Sequence, residues 1–375
     1  MNYKIPLSRP DITNLEKKAV LGVLETSALS LGEKYKEFEN IIAKFAGVKY
    51  AVAVNSGTSG LHLIIRALGI KEGDEVITTP FSFIASSNCL LFEKAKPVFV
   101  DIKSDTFNIN PDLVEGVITS KTKAILAVDI FSHPADWDEL KRITKKHKLY
   151  LIEDSAEALG SAYKGKKCGS FGGAAVFAFY PNKQITTGEG GIILTNNKKI
   201  YELCQSMANQ GRKTENGKWL EHVRLGYNYR LDEMSCALGV VQIKRIKDIL
   251  KKRAKVAELY NKKLKSIDGL EIPYIKTGSK LSWFVYVIKL AEKYSGKKRD
   301  KIMQEMGKKG VQCGNYFQTI HLQPFYKENF NYKKGDFPVA ENISSRTLAL
   351  PFFNDLKEKD VDFVVESLKE IISNV

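Results

Sequence analysis

Residues 177–191 read FAFYPNKQITTGEGG: an apolar run, a lysine in the turn behind it, and a close on Gly188-Glu189-Gly190-Gly191. The run Ala174–Phe179 has the length and composition of a buried strand. With 58 Lys and Arg in the chain, one more lysine means nothing by its type. Its position is what matters. An exposed lysine gains nothing from following a buried strand. A lysine whose amine must act as a nucleophile gains a dry site that lowers its pKa, and a glycine-rich backbone that lets a partner approach.

Working outward, short apolar runs alternate with helical patterns from about residue 50 to 200. Strands are expected at Tyr50–Val54, Glu75–Thr79, Pro97–Val100, Ala124–Ile130, Leu149–Glu153 and Ala174–Phe179, with helices such as Thr58–Leu68 and Ala85–Phe92 between most of them. That order predicts βαβ units, hence an α/β fold with a mostly parallel central sheet and helices on both faces. Helical sequence dominates from Ile200 to about Leu264. A smaller strand-plus-helix pattern follows, with Trp283–Leu290, Arg299–Lys309 and a closing helix near Lys359–Ile372. The expected division is a large domain over residues 1–240 and a smaller C-terminal α/β domain over 241–375, joined by a long helix around 232–264.

The chain has 375 residues, 43% hydrophobic and 27% charged, enough apolar mass for a large core. The net charge of +15 comes from lysines scattered along helices and turns, so no nucleic-acid partner is expected and an anionic small substrate suits it. No apolar stretch has the length of a signal peptide or a membrane span. The five cysteines (Cys89, Cys168, Cys204, Cys236 and Cys313) are widely spaced, which argues for reduced packing residues and no metal site. A cytoplasmic protein is the expectation.

In such sheets ligands gather beyond the carboxyl ends of the strands. After the first strand comes Asn55-Ser56-Gly57-Thr58-Ser59-Gly60, a helix start that suits a phosphate or is an ordinary N-cap. After the second comes Pro80-Phe81-Ser82-Phe83, an aromatic able to stack on a flat ring or simply to fill the core. After Leu149–Glu153 comes Asp154. It is either a partner for a buried cation or the cap of the Ser155–Leu159 turn, with Glu157 as the return half of a capping box. After Ala174–Phe179 comes Lys183. Taken together, in order and at separate strand ends, the set matches the needs of pyridoxal phosphate: an amine for covalent attachment, a carboxylate on the pyridinium nitrogen, and an anion site.

The chain also resembles the sugar aminotransferases of the DegT/DnrJ/EryC1/StrS type, pyridoxal-phosphate enzymes of fold type I. The likeness is carried by "EKYKEFENIIAKFAGVKYAVAVNSGTSGLHL", "GDEVITTPFSFIASSNCLLFEKAKPVFVDI", "HPADWDEL", "IEDSAEALGSAYKGKKCGSFG", "FAFYPNKQITTGEGG", "LGYNYRLDEMSCALG" and "IHLQPFY". The resemblance implies Lys183 as the Schiff-base lysine, Asp154 on the pyridine nitrogen, Phe83 stacked on the ring, and Gly57, Thr58 and Ser59 around the phosphate. It implies that Asn228 reaches the cofactor of a neighbouring subunit, hence a homodimer with shared active sites. His321, Tyr316 and Ser30 are expected around the substrate, a nucleotide-linked keto-sugar, with L-glutamate as amino donor.

Two positions depart from the commoner pattern. Glu157 stands where many relatives have glutamine near the cofactor's 3'-oxygen, so it must be protonated or accept from that oxygen. Ala178 stands where many have a phosphate-binding serine. A dehydratase branch carries histidine in place of the lysine, and Lys183 argues against it. The alternatives to an aminotransferase of nucleotide sugars are a dehydratase, an aminotransferase of a keto-cyclitol, and a non-enzymatic regulatory protein.

Overall fold

The structure is a computed structural model and describes residues 3–213 and 220–375. Its centre is a seven-stranded sheet made of β1 (Tyr50–Val54), β2 (Glu75–Thr78), β3 (Lys96–Phe99), β4 (Thr122–Val128), β5 (Tyr150–Asp154), β6 (Ala174–Ala178) and β7 (Gly191–Thr195). The spatial order is β1-β7-β6-β5-β4-β2-β3. From β3 through β6 every pairing is parallel, as the alternation of strands and helices requires. β7 runs antiparallel to both its neighbours, β1 and β6. It is the one strand of this sheet absent from the sequence reading, because its five residues follow directly on the glycine turn.

Alternation along each strand divides the core in two. Val52, Val54, Val76, Leu126, Ile152, Val176 and Ile193 face one side, where they meet Leu61 and Ile64 of the Gly57–Ala67 helix. Their neighbours Ala53, Ala175, Phe177, Ile192 and Leu194 face the other, against Phe38 and Ile42 of the Glu33–Ala46 helix. Farther along that second side, Ile77, Ile125, Ala127 and Leu151 pack on Trp137 and Leu140. Strands so buried on both faces read as continuous apolar runs, the signature of a covered parallel sheet.

A second core gathers β8 (Leu270–Glu271), β9 (Tyr286–Leu290) and β10 (Thr347–Leu350), an antiparallel three-stranded sheet, with residues of the Ile246–Leu264, Lys297–Lys308 and Glu358–Ser373 helices. Two details differ from expectation. The long connection is two helices, Glu233–Lys244 and Ile246–Leu264, broken at Arg245, whose guanidinium turns to Asp11 at 2.8 Å and Glu16 at 2.5 Å. The strand expected from Trp283 begins instead at Tyr286, because Trp283 has a left-handed backbone with φ of 56°. Among the described residues no helix is long and apolar enough to cross a membrane.

Candidate active site

The carboxyl ends of β1, β2, β5 and β6 lie on one side of the sheet and border a cavity of about 540 Å³. Six residues expected there, Gly57, Thr58, Phe83, Asp154, Glu157 and Lys183, line it, and so does Tyr316.

The loop behind β6 owes its shape to its own hydroxyls. Thr186 Oγ1 donates to the Phe179 carbonyl at 2.9 Å, and the Gly188 amide donates back to that hydroxyl at 2.9 Å. Gln184 anchors it from below, with Nε2 donating to the Glu157 carbonyl at 2.6 Å and to Ser282 Oγ at 2.7 Å. Lys183 is thereby held inward, its side chain 14% exposed. Nζ lies 3.5 Å from Glu157 Oε1 and 3.9 Å from the centre of the Phe284 ring. Burial lowers the amine's pKa, opposed by the charges of Glu157 and then Asp154. Of the glycines of this loop, Gly190 lines the cavity, whereas Gly191 serves a different neighbour from the one expected. A Cβ on Gly191 would lie 2.5 Å from the Ser56 carbonyl carbon and 2.6 Å from the Gly57 amide, so β7 presses its backbone against the turn that starts the Gly57–Ala67 helix.

Asp154 is the last residue of β5 and is buried. Its Oδ2 accepts from Ser86 Oγ at 2.8 Å, and its Oδ1 accepts from the Ala156 amide at 3.1 Å. It therefore stabilises the following turn and also faces the cavity. Burial raises its pKa, against the lowering effect of Ser86, Ala156 and the charge of Lys183. Glu157 closes no capping box. Its Oε2 accepts from the Phe131 amide at 2.9 Å, an N–H aimed by the left-handed backbone at Phe131 (φ 52°). Burial raises its pKa too, with Lys183 the chief opposing charge.

The other end of the cavity is a helix N-terminus. Ser56 caps it, accepting from the Ser59 amide at 3.0 Å, while the amides of Gly57 and Thr58 have no hydrogen-bond partner among the described residues. A Cβ on Gly57 would come 2.9 Å from the Ala178 Cβ, so a side chain there would fill the cradle. Open amides, the positive end of a helix dipole and a glycine-floored hollow fit a phosphate. Lys183 and Asp154 fit the remainder of pyridoxal phosphate.

Four expected residues lie off the cavity in this chain. The Ser59 hydroxyl turns back to Asn55 Oδ1 at 2.6 Å. Ser30 is exposed and pairs through its backbone with Asp232. Asn228 is exposed, bridged through its backbone to Asn209. His321 is fully buried, with Nε2 at 3.0 Å from Glu341 Oε1, and burial lowers its pKa. Its segment touches the site indirectly, through the Ile320 amide that donates to the Pro80 carbonyl at 2.7 Å.

Sequence reasoning missed Ser86, Asn182 and Phe284, all of which line the cavity. Ser86 had a signal, since it lies one turn past the Phe81-Ser82-Phe83 stretch. Phe284 had none, because it comes from a segment 101 residues beyond Lys183. It also missed a second acid pair. Asp129 and Glu153, with Cys168, form the one group among the described residues close enough to share an ion. Protein donors occupy it: Glu153 accepts from the amides of Gly169, Phe171 and Gly172, Asp129 accepts from the Ala135 amide and Trp137 Nε1, and the Ser155 hydroxyl, with its single proton, lies between the two acids.

Comparison with known proteins agrees with this geometry. The model of the DegT/DnrJ/EryC1/StrS aminotransferase family matches residues 10–369. The chain is 35% identical to GDP-perosamine synthase of Escherichia coli O157:H7, over 100% of both chains. PseC of Helicobacter pylori, an aminotransferase involved in the biosynthesis of pseudoaminic acid, superposes with a TM-score of 0.94 at 31% identity, covering 99% of this chain and 100% of the other. The PLP form of Spr1654 of Streptococcus pneumoniae gives 0.94 at 29% identity over 99% of each chain.

Proposed function

Because the chain belongs to the DegT/DnrJ/EryC1/StrS aminotransferase family and is a pyridoxal-phosphate enzyme, we propose that it moves an amino group from L-glutamate to the ketone of a nucleotide-linked sugar. The observation that carries the reading is the pairing of a buried amine, Lys183, with a buried carboxylate, Asp154, across a cavity that ends in an open helix N-terminus.

When bound, the cofactor supplies an electron sink for the pair of electrons left as a proton departs from the carbon next to nitrogen. The protein's residues do the rest. Lys183 would offer its amine for covalent attachment and, when free, hold and move a proton at Nζ beside the substrate carbon. Asp154 would face the ring nitrogen and favour its protonated form, with Ser86 fixing which carboxylate oxygen is left to do so. The Gly57 and Thr58 amides would hold the phosphate, and Phe83 would stack on the ring. Glu157, anchored by the Phe131 amide, would face the 3'-oxygen. In this reading residues 1–240 carry the cofactor, while the 241–375 portion brings Phe284 and Tyr316 to the same cavity.

The names of the relatives support a sugar substrate. The excess of positive charge suits a nucleotide diphosphate. A homodimer with shared active sites is supported by the loop around Asn228, which is exposed and carries the exposed apolar residues Leu220, Val223 and Leu225. Asn228 of one subunit would then serve its neighbour's cofactor. In the test, loaded protein is mixed with L-glutamate and a panel of keto-sugar nucleotides. Formation of an amino-sugar nucleotide together with 2-oxoglutarate supports the proposal. Release of water without amine incorporation would make the enzyme a dehydratase instead.

A further inference from the structure

The Phe284 ring over Lys183 is held by a residue that touches neither the cavity nor the lysine. The Phe284 amide donates to Ser132 Oγ at 2.7 Å, and its carbonyl accepts from Arg253 Nη2 at 2.7 Å. Arg253 Nε donates to the preceding carbonyl, that of Trp283, at 2.6 Å. Trp283 is the residue with the left-handed backbone, a conformation that a bulky side chain adopts only when its surroundings impose it. One residue earlier, the Ser282 amide donates to Ser161 Oγ at 2.9 Å, and its hydroxyl accepts from Gln184, the neighbour of Lys183. The segment 282–284 is thus bound through its amides to Ser132 and Ser161, through the Ser282 hydroxyl to the lysine loop, and through two successive carbonyls to one guanidinium.

That guanidinium is costly to keep. Arg253 is 3% exposed, its third hydrogen bond goes to the neutral Asn354 Oδ1 at 3.0 Å, its guanidinium carbon lies 5.1 Å from the centre of the Phe352 ring, and among the described residues no carboxylate forms an ion pair with it. Burial holds its pKa down to about 9, opposed only by the more distant charge of Asp11. An apolar side chain would fill the same space without burying an unpaired charge. A planar fork that grips two successive carbonyls has no apolar substitute.

We infer that Arg253 is a positioning residue that, by gripping the Trp283 and Phe284 carbonyls, holds the Phe284 ring against Lys183 and keeps water from its amine. The inference rests on the reading of Lys183 as the reactive amine. The other groups facing that amine are Glu157 and Asp154, with Tyr180, Glu189 and Tyr316 around the same cavity.

The test is the pH dependence of Lys183 acylation in the full-length, cofactor-free protein, followed by mass spectrometry of the peptide that contains it. Phe284→Leu admits water to the amine and removes the ring face that attracts its cation; desolvation is the larger influence, so the midpoint rises toward the ordinary lysine value. Arg253→Lys keeps the charge but cannot reach both carbonyls, so it raises the midpoint in the same direction. The double variant rises no further than Phe284→Leu alone. A lower melting temperature in Arg253→Lys with an unmoved midpoint would reduce Arg253 to a packing residue and overturn the inference. So would additive shifts in the double variant, or an unmoved midpoint in Phe284→Leu, a variant that leaves Arg253 intact. The visible absorption band of the cofactor-loaded protein is a separate measurement. Its absence would sink the aminotransferase reading, while the titration still decides on Arg253.

Discussion

Glu153 and Asp154 are consecutive residues of one strand, both buried, both acids, and chemically they belong to different worlds. Alternation along β5 sends them to opposite faces. Glu153 meets three backbone amides and, across the shared Ser155 hydroxyl, a second acid, Asp129, which accepts from Ala135 and Trp137. Nothing in that cluster is open to solvent or to a ligand. Asp154 meets two donors and then a cavity. A carboxylate with its lone pairs filled by backbone amides is part of the framework. One left with capacity toward a hollow, with a buried amine across from it, is part of a site.

The largest effect that separates the two regions comes from the amine. Lys183→Ala should lower amino transfer by at least about 10³-fold in a steady-state assay, since attachment and proton transfer are both lost. Exchange of the two acids should then split activity from stability. Asp154→Asn should cost about 10²-fold or more in turnover with folding retained. Glu153→Gln should leave turnover per folded molecule within a few-fold, yet destabilise the fold by about 1–3 kcal/mol in urea denaturation, because it breaks a filled hydrogen-bond set. The opposite pattern would erase the distinction drawn between them.

A third prediction concerns pH. Burial holds the carboxyls of Asp154 and Glu157 above their ordinary values, so over that window the folded state binds protons that the unfolded state has released. Stability therefore falls as pH rises through the window, and the cation of Lys183 lessens the fall. In Lys183→Met the fall should steepen, as read from urea midpoints between roughly pH 4 and 8. The depressed pKa of Lys183 acts in the reverse sense: the unfolded chain binds the extra proton, so stability rises with pH on the alkaline side. That alkaline rise should vanish in the same variant. The smallest effect is expected at Ala178. Ala178→Ser adds a hydroxyl beside the Gly57 turn, and one further hydrogen bond of about 1 kcal/mol should tighten cofactor binding about 5-fold.

The parallel part of the sheet was legible because βαβ units announce themselves by alternation, and the place of Lys183, Asp154, Phe83, Gly57 and Thr58 at one cavity was legible because each ends or follows a strand. β7 was not, since five residues behind a glycine turn carry no periodicity that distinguishes them from the loop. The Glu153–Asp129 pair escaped notice because neither acid stands next to a donor in sequence. Their partners, Gly169, Phe171 and Trp137, arrive through the fold. Phe284 and Arg253 escaped for the same reason, as their relation to Lys183 exists only once the Trp283 backbone turns. Glu157 lines the cavity, and of the two roles its position allowed, the capping box does not form, because the Phe131 amide supplies its bond instead.

The central claim is that Lys183 is the amine to which the cofactor attaches. The most direct measurement is borohydride reduction of the protein loaded with pyridoxal phosphate, followed by peptide mass mapping. The expected result is a single pyridoxyl-modified peptide, the one spanning Lys183, with the label absent from Lys183→Ala. Label spread over surface lysines, or its persistence in Lys183→Ala, would contradict the account.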